Sequence, residues 1–145
     1  MHFVTGGAFN GKRDWVTKQY PEAHWVSAYK GETFVDLSNL EHFECVVFEG
    51  IEQWIKNDAT GLNRRTALDK WREIIEQWID WEHKKQNRQV IIIGTDISKG
   101  IVPISKEDRL WRDITGWVYQ VLALNSSRVD AIWYGINTTI KGDLK

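Results

Sequence analysis

Apolar residues along the chain follow two rhythms, and they alternate. Short apolar runs read as strands: His2 to Thr5, Cys45 to Phe48 closing on Glu49, Gln89 to Gly94, and Val129 to Gly135. A weaker alternation over Ala23–Tyr29 predicts a second strand, and Asn137–Ile140 a short edge. Between these runs the period becomes helical. Gly11–Tyr20 reads as a short helix stopped by Pro21, and Gly50–Lys56 as the start of another, broken by Asn57–Gly61. Leu62–Lys85 is the clearest helix. Ala67, Leu68, Trp71, Ile74, Ile75, Trp78 and Ile79 form one face, with Lys70, Arg72, Glu73 and Glu76 on the other. Ser105-Lys106-Glu107-Asp108 resembles a capping box and opens a helix with a buried stripe from Leu110 to Leu122. Lys30–Glu44 is polar and irregular, with a helical turn near Leu37–His42, and Thr95–Ile104 reads as a loop.

The alternation predicts a three-layer α/β domain with a mostly parallel sheet, one domain over residues 1–145. The run Gln89–Gly94 lacks alternation, as expected of a strand covered on both faces. In such sheets ligands bind beyond the carboxyl ends of the strands. At 145 residues the chain buries a real core, about two-thirds of its unfolded surface. Its net charge of −1 gives no global field for nucleic acid or membrane, so neither is an expected partner. The single cysteine, Cys45, fits a reducing compartment. With no signal-peptide pattern, and no apolar run longer than Val90–Ile93, the expected location is the cytoplasm. Nine tryptophans stand out, several at helical spacing; core is the preferred reading and a subunit interface the second.

The richest chemistry lies between the first strand and the first helix. Gly6-Gly7-Ala8-Phe9-Asn10-Gly11-Lys12-Arg13 carries the Gly-x4-Gly-Lys spacing of a Walker A phosphate loop. Its glycines let backbone N–H groups turn inward around phosphates, and the following helix presents its positive end. Lys12 adds a full charge beside the transferring phosphoryl group. The alternative is an ordinary strand-to-helix turn. The motif asks for Ser or Thr after the lysine, to hold Mg²⁺, and this chain has Arg13. A guanidinium repels a metal and pairs with a phosphate or another anion instead.

Two more strand ends supply carboxylates. Glu49 has two readings, an Mg²⁺ or proton-accepting group and a plain helix N-terminal acid. Asp96, just past the next strand, reads either as a third member of the site or as a turn residue. Lys12, Glu49 and Asp96 converge on one sheet edge if the strands are parallel. The histidines show no metal spacing, and His24, His42 and His83 read as solvated surface; no metal-ligating residues are assigned.

Gly100-Ile101-Val102-Pro103 followed by Arg112-Asp113-Ile114-Thr115-Gly116-Trp117-Val118-Tyr119-Gln120 resembles the adenosylcobinamide kinase/adenosylcobinamide-phosphate guanylyltransferase family of cobalamin biosynthesis. Val4-Thr5-Gly6-Gly7-Ala8 with Gly11-Lys12 is similar to the family's phosphate loop, Phe48-Glu49 to its strand-end carboxylate, and Val129–Lys141 to its closing strands. The resemblance implies a P-loop NTPase-like fold, GTP or ATP as phosphoryl donor, Mg²⁺, an adenosylcobinamide hydroxyl as acceptor, and a homotrimer. It also implies a guanylylated histidine in an Arg-rich segment after the second strand. Here no histidine sits in such a context, Arg13 replaces the loop hydroxyl, and Asp96 stands where the family has Glu. Three readings result: a shortened kinase without guanylyltransferase activity, a degenerate P-loop protein that binds a nucleotide, a cobinamide or a partner without turnover, and a kinase of another hydroxylated metabolite.

Overall fold

The strands assemble in the order β2-β3-β4-β1-β5-β6. They comprise β1 (His2–Gly6), β2 (His24–Ser27), β3 (Cys45–Glu49), β4 (Gln89–Thr95), β5 (Arg128–Trp133) and β6 (Ile136–Lys141). All neighbours pair in parallel except β6, which returns antiparallel along β5. The structure is a computed structural model and describes residues 1–33, 37–97 and 105–142. The Gly100–Pro103 motif therefore lies outside the described residues.

The four helices are α1 (Lys12–Gln19), α2 (Ile51–Gly61), α3 (Arg64–His83) and α4 (Lys106–Asn125). Side-chain alternation along the central strands explains the layers. Phe3, Val46, Phe48, Val90, Ile92 and Val129 face one way, into a large core shared with α2, α3 and α4. Val4, Val47, Ile91, Ile93 and Ile132 face the other way, into a small core closed by Val16 of α1 and the half-buried Trp15, Tyr20 and Trp25. The expected three-layer α/β arrangement is present, with three helices on one face and one short helix on the other.

Most predicted elements stand within a few residues of their predicted ends. One does not: α2 continues through Asn57–Asp58–Ala59–Thr60 instead of breaking there. Ala59 is buried on its inner face, and Asp58 accepts bonds from Lys70 Nζ (2.8 Å) and Trp71 Nε1 (2.9 Å), which ties the segment to α3. The break comes at Leu62–Asn63, where the Asn63 side chain accepts from Thr66 N and caps α3. Ser105 caps α4 in the same way through Asp108 N, as its sequence predicts.

Four of the nine tryptophans are core. Trp54, Trp71, Trp78 and Trp81 are buried, and the other five are half-buried with part of each ring surface open. The exposed large apolar residues include Leu124, Tyr134, Ile136 and Ile140, at the β6 edge and the end of α4. His24 is half-buried rather than solvated, its ring stacked on Phe43 at 4.1 Å, while His42 and His83 are exposed. His2 is buried. No helix among the described residues is long and apolar enough to cross a membrane.

Candidate functional site

The central strands β3, β4 and β1 end side by side, and a cleft of about 780 Å³ opens beyond their carboxyl ends. Its walls come from the loop residues Ala8–Asp14, from Glu49, Glu52 and Gln53 after β3, from Ile93, Thr95 and Ile97 at β4, and from Tyr29 after β2.

The loop is shaped by its glycines. Gly6 has φ +141°, and a Cβ there would lie 2.2 Å from Ile132 O, so β1 can leave the sheet only as glycine. Gly11 precedes α1 in the left-handed conformation (φ +90°) and offers no capping side chain. The first N–H groups of α1 are thus uncapped by a side chain where the helix meets the cleft. Gly50 before α2 repeats the arrangement, again without a side-chain cap. α3 and α4, whose residues do not line the cleft, are both capped by side chains. Asn10 fastens the loop to the turn between β5 and β6, its Oδ1 accepting from Tyr134 N (3.0 Å) and its carbonyl from Gly135 N (2.8 Å).

Lys12 lies across this loop and donates from Nζ to Gly7 O at 2.8 Å. It is 7 % exposed, and burial lowers its pKa while the charges of Glu52 and Glu49 partly restore it. Arg13 turns the other way. Its guanidinium forms a fork on Glu49, with Nε on Oε2 at 2.8 Å and Nη2 on Oε1, and it lies 5.7 Å from the Trp25 ring centre. Ser27 Oγ also donates to Glu49 Oε1, at 2.6 Å. Burial pushes the Glu49 carboxyl up, but the bonds from Arg13 and Ser27 and the guanidinium charge outweigh it and hold it below the ordinary value.

A second buried carboxylate, Glu52, faces the cleft from the first turn of α2. It accepts from Thr95 N at 2.9 Å and from the Tyr29 hydroxyl, whose pKa is raised by burial and by that bond. Tyr29 also meets Thr95 Oγ1 at 3.1 Å, and Tyr119 from α4 donates to Thr95 O at 2.7 Å.

Of the residues singled out in the sequence, Lys12, Arg13 and Glu49 share the cleft. Asp96 follows β4 on the same edge and its amide donates to Gly6 O at 2.8 Å, but the wall itself is formed by its neighbours Thr95 and Ile97. Glu52, Tyr29, Ser27 and Thr95 are additional members that the sequence reading missed. Glu52, three residues past a strand-end acid and in the first turn of a helix, carried a usable signal; the others become visible only once β2 is known to lie beside β3. The four histidines are placed on the opposite edge by the strand directions. His2 and His24 begin β1 and β2, His42 precedes β3 by a turn, and His83 ends α3 ahead of β4.

Residues 17–140 match the family model described as cobinamide kinase / cobinamide phosphate guanyltransferase. The glycine loop lies ahead of the matched stretch. No curated protein matches the chain.

Proposed function

The chain belongs to the cobinamide kinase / cobinamide phosphate guanyltransferase family of cobalamin biosynthesis, whose substrates are a nucleotide and a cobinamide, and we propose that its cleft binds GTP or ATP and passes a phosphoryl group to the hydroxyl of adenosylcobinamide. The observation that carries this reading is the loop: an α1 N-terminus without a side-chain cap, behind a glycine turn, with Lys12 folded across it onto Gly7 O. An incoming phosphate takes the place of that carbonyl as the partner of Lys12, and residues 6–13 supply amide donors around it. Catalysis is positioning and charge stabilisation. Lys12 holds the donor. Glu49 fixes Arg13 beside the loop, and Asp96 stands at the end of the neighbouring strand. Glu52, with Tyr29, lines the remaining wall, where an acceptor hydroxyl would come to rest.

Guanylyltransferase activity is absent in this reading. The resemblance calls for a nucleophilic histidine after β2, and the placement of all four histidines at the amino-terminal edge of the sheet supports the loss. The chain acts as one nucleotide-binding domain in the cytoplasm. It assembles as a homo-oligomer, a trimer by resemblance, through the apolar strip at β6; light scattering tests the assembly.

Single-turnover phosphorylation of adenosylcobinamide at high enzyme, with GTP and with ATP, tests the kinase reading. Labelled product that disappears in Lys12→Ala is expected. No product beside an active family enzyme overturns it. The closed Arg13–Glu49 pair favours one second reading, a P-loop protein that binds a nucleotide without turnover. That reading predicts calorimetric binding of GTP with no product.

A further inference from the structure

The resemblance implies Mg²⁺ beside the phosphates, and the residues of this cleft do not fit it. A phosphate loop of this type engages the ion from two places: the hydroxyl after the loop lysine and an acid at the carboxyl end of a sheet strand. Here those two places are bonded to each other. Arg13 stands at the first and Glu49 at the second, and the guanidinium covers both carboxylate oxygens. Ser27 Oγ adds a third donor at 2.6 Å, so Glu49 keeps little capacity for a cation, and any ion approaching it meets a fixed positive charge. The nearest hydroxyl along α1, Thr17 Oγ1, is bonded to Arg13 O at 2.8 Å. The cleft's other buried acid, Glu52, is bonded to Tyr29 and the Thr95 amide, and Asp96 forms no part of the cleft wall. Among the described residues no group of three or more His, Cys, Asp or Glu side chains is arranged to hold a metal ion.

We infer that Arg13, clamped by Glu49 and Ser27, stands in for the divalent cation, so that the cleft takes its nucleotide as the metal-free anion. The inference rests on the reading of the cleft as a nucleotide site. Half of the Arg13 side chain stays exposed (48 %) while that of Glu49 is 4 % exposed, so the carboxylate anchors the guanidinium from behind and leaves its outer edge open to the cleft. Lys12 and Arg13 then place two cations in the wall of one cleft near the positive end of α1, and the negative charge of Glu49 is screened by its own donors.

Calorimetry with GTP tests this in excess Mg²⁺ and in excess EDTA, on the wild-type chain and on Arg13→Ser, which restores the loop hydroxyl. The wild-type Kd is expected to agree within about threefold between the two conditions. Arg13→Ser is expected to lose about tenfold in EDTA and to recover with Mg²⁺. Wild-type binding that tightens tenfold or more with Mg²⁺ overturns the inference and leaves the nucleotide reading standing. Absence of GTP binding in both conditions removes the nucleotide reading, and the inference with it. The wild-type arm needs no variant, so the test holds even if Arg13→Ser folds poorly.

Discussion

Two buried carboxylates in this molecule are partnered almost alike and do different things. Glu49 sits at the carboxyl end of β3 with Arg13 and Ser27; Asp130 sits within β5 with Arg128, Thr139, Asn137 and His2. Each is buried, and in each the bonds and cationic charge outweigh desolvation and hold the carboxyl below its ordinary value. The surroundings differ. Asp130 is 0 % exposed and lies under α1, where His2 Nε2 meets it at 2.6 Å and His2 Nδ1 meets Tyr20 OH at 2.7 Å. Arg128 lies 5.7 Å from the Trp15 ring centre and keeps 28 % of its side chain exposed, so that cluster is mostly covered by packed side chains. Glu49 instead opens through its arginine onto the cleft. The same pairing chemistry fastens the sheet in one place and prepares a charged surface in the other. What decides is whether the arginine faces packed side chains or an opening.

That contrast separates stability from binding. The largest expected effect on folding is Asp130→Ala. It leaves the buried His2 and the partly exposed Arg128 without their common partner, and Thr139 and Asn137 without their shared acceptor, at about 3–5 kcal/mol. Urea denaturation should show the loss, while the folded fraction keeps its affinity for GTP. Glu49→Ala should cost less stability, about 2 kcal/mol, because the released Arg13 is half in water already. Its effect falls on the nucleotide instead: with no anchor for the guanidinium, GTP affinity in EDTA should drop. Equal stability losses in the two variants, or a GTP defect confined to Asp130→Ala, would break the distinction.

How far these features were legible in the sequence depends on how local they are. The glycine loop between β1 and α1 was legible because glycine, lysine, a preceding strand and a following helix all fall within a dozen residues. The capping of α4 by Ser105 was legible for the same reason. The extent of α2 was not, since its break signals are overruled by Asp58 bonding to Lys70 and Trp71 on the next helix. The partner of Arg13 lies 36 residues away and that of His2 128 residues away, and both follow from strand order, which hydrophobic pattern alone does not fix. The alternation over Ala23–Tyr29 places Tyr29 in β2, whereas the strand ends at Ser27 and Tyr29 belongs to a 3-10 turn that delivers its hydroxyl to Glu52. The chain's chemistry-bearing residue types were therefore visible, but their pairings were not.

The smallest effect sharpens the comparison through pH. Burial lowers the pKa of His2, and the bond and charge of Asp130 only partly oppose it, so the folded chain resists protonating this ring while the unfolded chain does not. The stability due to neutral His2 is complete above the unfolded value of about 6.5 and declines as the pH falls from there toward the lower folded value. Glu49 and Asp130 act in a lower window. Their folded values are depressed, so their contribution is complete above the ordinary carboxylate range and is lost only as the pH falls through those depressed values. Unfolding free energies measured from pH 7.5 downward should therefore fall in two stages. His2→Gln should flatten the first stage and leave the second in place. An unchanged first stage in that variant would show that the His2–Asp130 cluster does not titrate as a covered unit, and the contrast with the open Arg13–Glu49 pair would lose its clearest solution signature.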